Sequence, residues 1–297
     1  MQRKDRIDAF GAVVLVAFSA LLGLNQVLVK IVNAGFAPIF QAGLRSACAF
    51  LPVLIIALVL KRRLSITDGS FWPGIITGTL FAAEFILLFQ ALDYTTVSRA
   101  SIFFYTMPFW VALAAHFIIP GERLTGMKTA GLALAIAGVA LALSRDDQPA
   151  SDYALIGDLM CLLGALGWAG IALIARTTAM SKSAPEMQLL YQLAVSAPIM
   201  LALAFALGET VREPTMTHYW IFAFQVLVVV SIGFLTWFWI LSIYPASDMA
   251  SFSFLAPVFG VFFGWLVFDE PLTWTILGAL LLVAVGIVLV NRKPKAR

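Results

Sequence analysis

The chain has 297 residues, of which 62% are hydrophobic and only 12% charged. A soluble domain needs far more polar surface, so that class is excluded. The net charge of +3 belongs to the loops and points to no nucleic-acid partner. The apolar residues come as repeated runs of about twenty, the length that crosses about 30 Å of hydrocarbon at about 1.5 Å per residue. Such runs read as spanning helices, because lipid offers no partner to a stray backbone group.

The first residues, Met1-Gln2-Arg3-Lys4-Asp5-Arg6, are short and basic. The apolar stretch behind them is too long for a cleaved signal and has no small-residue cleavage site, so it reads as a retained first span. Ten spans follow in chain order, at roughly 10–32, 38–60, 71–92, 98–119, 126–144, 153–176, 185–207, 217–242, 248–268 and 273–291. The breaks between them carry turn and charge signals, such as Asn33-Ala34-Gly35, Lys61-Arg62-Arg63 and Asp269-Glu270-Pro271. Cys48 and Cys161 both fall inside spans and read as apolar fillers, not as a disulfide or metal pair.

With the N-terminus inside, most of the 19 Lys and Arg fall on one side, including Lys61, Arg62, Arg63, Arg123, Lys128, Arg292 and Lys293. Arg99, Arg145 and Arg212 fall on the other. The positive-inside rule then places both termini in the cytoplasm.

Two segments match across half the chain. One reads Tyr94-Thr95-Thr96-Val97-Ser98, then Pro108, then Gly121-Glu122-Arg123-Leu124-Thr125, then Gly131 and Gly138. The other reads Tyr244-Pro245-Ala246-Ser247, then Pro257, then Asp269-Glu270-Pro271-Leu272-Thr273, then Gly278 and Gly286. Pro38 and Pro185 open the second span of each half. The expected fold is therefore an all-α polytopic membrane protein of two five-helix repeats, 1–147 and 148–297. Five is odd, so the second repeat enters from the opposite side. Inverted repeats of this kind characterise transporters, whose halves can exchange conformations around a site at their interface.

These motifs, with Arg45 in the second span and Ala91-Leu92-Asp93-Tyr94-Thr95 closing the third, resemble the drug/metabolite transporter superfamily. Within it the chain resembles the EamA-type ten-helix exporters, and most closely the YddG-type exporters of aromatic amino acids. Leu24-Asn25 departs from the Trp-Gly that many members carry in the first span, whereas Trp168-Ala169 holds that place in the second half. The resemblance implies a multi-pass protein of a bacterial inner membrane. It also implies a central cavity lined by the first, third, fourth, sixth, eighth and ninth spans. Tyr105, Trp168, Trp237, Ser251 and Phe254 thereby become cavity residues.

The residues themselves add further substrate-binding candidates. Glu84 lies within the third span and reads as a substrate-ammonium or proton site, or as a structural partner for Lys30 or Arg45. Gln26 shares a polar stripe with Ser19, Gly23 and Lys30, a pattern that suits a wet cavity wall. Lys30 either attracts a substrate carboxylate or snorkels to the headgroups. Arg45 reads as a structural inter-helix donor, as do Gln41, Gln188, Tyr191 and Gln192. Ser98, Ser101, Tyr105 and Pro108 share one face. Pro108 and Pro257 each free a carbonyl and are hinge candidates or packing devices. Trp72, Trp220, Trp265 and Trp274 read as interfacial anchors, and Trp168, Trp237 and Trp239 as deeper. The small residues of the fifth and tenth spans suit close packing or a homodimer.

No hydrolase, metalloprotease or phosphate-loop motif is present, and the two histidines, His116 and His218, lie far apart in sequence. The expectation is a carrier and not an enzyme, without metal or cofactor, whose partners are a small molecule and the bilayer. A membrane-embedded enzyme or a channel, and a carrier of drugs or other metabolites, stand as alternatives. The preferred substrates are amino acids, aromatic ones first, moved outward by alternating access.

Overall fold

The computed structural model describes residues 7–120, 123–144, 152–244 and 252–291. Eight helices are long and apolar enough to cross a membrane, and two shorter apolar helices complete a set of ten. The set comprises α1 (Ala9–Asn33), α2 (Pro38–Val59) and α3 (Phe71–Tyr94). Helix α4 has two pieces, Val97–Phe104 and Met107–Ile118. Next come α5 (Gly126–Leu143), α6 (Ala154–Thr177) and α7 (Pro185–Leu207). Helix α8 is continuous but changes type, through Met216–Phe224, Gln225–Gly233 and Phe234–Ile243. Last are α9 (Leu255–Phe268) and α10 (Trp274–Asn291). No strand forms among the described residues beyond one isolated bridge, Phe36–Val211.

Local sequence explains the boundaries. Pro38 and Pro185 sit in the first turns of α2 and α7, where a missing N–H costs nothing. The Thr96 side chain caps α4 by accepting from the Arg99 N–H, and Thr125 caps α5 in the same way. Gly208 ends α7 in the left-handed conformation, at φ 72°.

The packing obeys a two-fold exchange of the repeats, with α1 equivalent to α6 and so on to α5 and α10. Three pairs face their own equivalents: α2 with α7, α4 with α9, and α5 with α10. The others occur in exchanged couples. The contact of α1 with α9 has its counterpart in α6 with α4, and that of α3 with α6 in α8 with α1. The two repeats are thus interleaved, and every central helix touches the other half.

Small residues permit the closest approaches. A Cβ on Gly131 would lie 2.8 Å from the Gly286 carbonyl oxygen, and one on Gly286 would lie 2.8 Å from that of Gly131. The small faces of α5 and α10 therefore bury each other within one chain. On α6, Gly157, Gly164, Gly167 and Gly170 bring that helix against α3 or the first piece of α4.

Three span readings change. The fourth span is interrupted at Tyr105-Thr106, and Pro108 stands in the first turn of its second piece. A proline there cannot donate to the Phe104 carbonyl one turn back, and at the neighbouring position the Thr106 hydroxyl donates to the Phe103 carbonyl at 2.6 Å. The eighth span contains a π-helical stretch, in which the Ser231 hydroxyl donates to the Val226 carbonyl five residues earlier. Pro257 lies in the opening turn of α9 and kinks no continuous helix among the described residues. Trp72, Trp220, Trp265 and Trp274 are exposed, as interfacial anchors require. Trp239 is also exposed, with Phe10 against its edge, so it does not fill the core.

Candidate functional site

The helix ends define two faces. The proximal face is the one where α1 begins, and the distal face carries the α1–α2 turn. Gln26 and Ser101 meet where α1, α4 and α9 cross in the distal half. The Ser101 hydroxyl donates to Gln26 Oε1 at 2.7 Å, and both side chains are buried. Two glycines make this crossing possible. A Cβ on Gly23 would come within 2.7 Å of the Gly260 nitrogen, and one on Gly260 would overlap the Ser101 hydroxyl.

The break in α4 turns two aromatic rings toward α6. Trp168 stacks on Phe104 with centroids 5.2 Å apart and 21° between planes, and meets Tyr105 edge-on at 6.2 Å. Tyr105 also faces Gln26. Glu84 stands beside this wall, since a Cβ on Gly167, next to Trp168, would lie 3.4 Å from the Glu84 Cβ. Gln26, Glu84, Ser101, Tyr105 and Trp168 are therefore gathered where the first repeat meets α6 of the second.

Several polar atoms in this interior have no partner: Asn25 Oδ1, Gln26 Nε2, Gln41 Oε1, Glu84 Oε2, Ser196 Oγ and Gln225 Nε2. Buried polar groups are ordinarily paired, and leaving one unpaired costs about 1–3 kcal/mol. They lie on α1, α2, α3, α7 and α8, from both repeats. Among the described residues no group of His, Cys, Asp and Glu could hold a metal ion. The arrangement can bind and orient a small molecule. It offers no nucleophile paired with a base.

Two stretches of the chain, residues 9–144 and 155–292, match the model of the EamA-like transporter family. This chain belongs to the EamA-like transporter family. It is a multi-pass membrane transporter and not an enzyme. "Uncharacterized transporter YoaV" of Bacillus subtilis (strain 168) is 26% identical over 92% of this chain and 94% of its own length. "Probable amino-acid metabolite efflux pump" of Escherichia coli (strain K12) is 28% identical over 95% and 93%. A solved crystal structure shares the fold at TM-score 0.66, with 18% identity over 93% of this chain and 94% of that one.

Other predicted residues of this EamA-like transporter lie elsewhere. Trp237 stacks on Phe18 of α1, with centroids 5.1 Å apart, in the proximal half. Phe254 starts α9 and packs, partly buried, on the main core. Ser251 lies outside the described residues. Lys30 does not point at the aromatic wall. Its Nζ donates to the Thr95 carbonyl at 2.6 Å and lies over the Phe268 ring. Among the described residues Arg45 donates no hydrogen bond to another helix. Its guanidinium lies 4.5 Å and 4.6 Å from the ring centroids of Phe85 and Phe89, and the opposite charge acting on it is Glu84. Gln41 and Tyr191 do link helices, to Gln225 and Ser70 respectively, whereas Gln188 bonds the Met180 and Ser183 carbonyls of its own connection.

Sequence reasoning missed the residues that fasten the distal face. Asp158 on α6 receives Arg99 from α4, with Nη2 to Oδ2 at 2.5 Å and Nε 3.2 Å from each carboxylate oxygen. Thr95 donates to the same carboxylate at 2.7 Å. Arg212 joins the Asn33 carbonyl and Asp93, each at 2.8 Å. Glu270 caps the start of α4. The signal for Asp158 was an acid inside an apolar run. In the α2–α3 loop, hydrogen bonds from Ser70 hold the Asp68 carboxyl below the usual carboxylate range, a turn device remote from these groups.

Proposed function

We propose that this chain exports small metabolites across a bacterial inner membrane, with both termini cytoplasmic, and that amino acids, aromatic ones first, are its substrates. The observation that carries this reading is the stacked wall of Phe104, Tyr105 and Trp168 facing the Gln26–Ser101 pair. An aromatic side chain packed against such rings gains about 0.5–1.5 kcal/mol beyond its area burial. Polar groups at the wall's edge give an amphipathic ligand its orientation. The similarity to a protein named an amino-acid metabolite efflux pump supports the same class.

Access alternates between faces by exchange of the two repeats. The break before Pro108 lets the second piece of α4 swing relative to the first, and the opening turn of α9 at Pro257 is its counterpart. In this conformation the distal face is fastened by ion pairs and caps, so substrate enters from the proximal, cytoplasmic side.

Purified protein in liposomes, with radiolabelled phenylalanine, tryptophan, threonine and a nucleotide-sugar offered in parallel, tests this. Saturable uptake of the two aromatic amino acids, each competing with the other, is expected. Uptake of none of the four above that of empty liposomes would overturn the amino-acid assignment.

A further inference from the structure

Among the described residues two Arg–acid pairs are buried, and they differ in kind. Arg99 and Asp158 close on each other with a forked contact, and Thr95 completes the carboxylate. That is the geometry of a finished structural pair. Arg45 and Glu84 act on each other electrostatically, but among the described residues no ion pair closes between them. Both are almost wholly buried, at 3% and 4% exposure.

Arg45 has its guanidinium against the rings of Phe85 and Phe89, on one side of it, and among the described residues no acceptor bonds its N–H groups. Glu84 Oε2 is buried with no hydrogen-bond donor. A transmembrane helix bundle does not keep two such charges apart without something to gain.

Beside them lies a second unfinished pair. Gln41 is one turn from Arg45 on α2, so the two share a face. Gln41 Nε2 donates to Gln225 Oε1 at 3.3 Å, where the π-helical stretch of α8 begins. Gln41 Oε1 and Gln225 Nε2 are left over. Whichever way the two amides are turned, one acceptor and one donor remain. Departures from regular helix of this kind concentrate at functional sites.

We propose that Arg45 and Glu84, flanked by the Gln41–Gln225 pair, form the site for the charged head of a zwitterionic substrate: Arg45 takes the carboxylate and Glu84 takes the ammonium. This rests on the amino-acid reading above and deepens it. Only a ligand carrying both charged groups on one carbon answers both residues at once. A purely cationic or anionic ligand leaves one buried charge uncompensated. The wall of Phe104 and Trp168 then receives the side chain, and the two together select an aromatic amino acid over an amine or an acid of the same shape.

The test is equilibrium binding to the full chain in lipid nanodiscs, with three probes of one skeleton: L-phenylalanine, phenethylamine without the carboxylate, and 3-phenylpropionate without the ammonium. The wild type is expected to bind phenylalanine at least tenfold more tightly than either analogue. Arg45→Gln should lower phenylalanine to the level of phenethylamine and leave phenethylamine itself within about twofold. Glu84→Gln should lower phenylalanine to the level of 3-phenylpropionate. Glu84→Gln is nearly isosteric, so it decides the matter alone if the arginine variant does not fold. Variants that bind phenylalanine as the wild type does, or that weaken all three probes equally, would overturn this site while leaving the amino-acid reading in place. A wild type that binds none of the three would overturn both.

Discussion

Glu270 and Ser98 join the two repeats at the distal face. Glu270 Oε2 accepts from the Ser98 hydroxyl at 2.6 Å and from its N–H at 2.8 Å, while Oε1 accepts from the Val97 N–H at 2.7 Å. A carboxylate at a helix start satisfies orphan donors and meets the positive end of the dipole. Here it comes from the connection between α9 and α10, so one side chain of the second repeat fixes the α4 helix of the first. Gly264 gives it room, since a Cβ there would lie 2.5 Å from Glu270 Oε2.

Removing that cap should loosen the distal face. Glu270→Ala is expected to cost roughly 2 kcal/mol, from the lost cap and the charge-assisted bonds. Glu270→Gln retains one acceptor and should cost about half as much. Thermal unfolding of the detergent-solubilised protein measures both. A melting temperature for Glu270→Ala equal to that of the wild type would remove Glu270 from the fastening.

The Arg99–Asp158 pair allows a sharper experiment. Both side chains are almost wholly buried, so removing one partner strands a charge at a cost of about 3–5 kcal/mol. Asp158→Leu alone should therefore destabilise severely, and Arg99→Met alone likewise. The double variant, with no charge left to strand, should be markedly more stable than either single one. Unfolding temperatures of the four proteins form the cycle. Additive losses would mean that the two residues act independently.

These two relationships mark where the sequence stops being readable. Pro38, Pro185 and Pro108 announced helix starts and an interruption, because proline acts on its own backbone. The repeat was legible because it is written twice. The Gln26–Ser101 meeting was half legible, since each residue lay on a polar face of its own helix. Glu270 was not, because its partners are 172 and 173 residues away and Asp269-Glu270-Pro271 reads as an ordinary turn. Arg99 counted as a loop charge for the same reason. The π-helical stretch of α8 contains only Gln225 and Ser231 besides apolar residues and glycine, and nothing in that composition announces a change of helix type. What is local was visible, and what depends on a distant partner was not.

The glycine crossing makes a prediction about movement as well as stability. Gly260→Ala places a methyl group on the Ser101 side chain and should force α9 away from α4. Overpacking of this kind costs about 1–3 kcal/mol. Transport should fall severalfold even where the protein still inserts and purifies. Adding Ser101→Gly removes both obstructing atoms and should recover stability relative to Gly260→Ala alone, although the Gln26 hydrogen bond is then lost. A double variant no more stable than Gly260→Ala would show that the crossing is not what limits packing there.

Trp168 tests the aromatic wall. It stacks on Phe104 and touches Tyr105, yet it is partly buried and only packs against the core cluster. Trp168→Phe preserves a ring for stacking, whereas Trp168→Ala removes it along with about 0.5–1.5 kcal/mol of ring contact. If the wall receives an aromatic side chain, Trp168→Ala should reduce phenylalanine and tryptophan uptake about tenfold and leave an aliphatic amino acid, where one is carried, less affected. Trp168→Phe should keep most of the aromatic preference. Competition of unlabelled amino acids against labelled phenylalanine, in liposomes holding each variant, reads the preference directly. An equal loss for all substrates would make Trp168 a structural ring, because selectivity changes only where the ring meets the ligand.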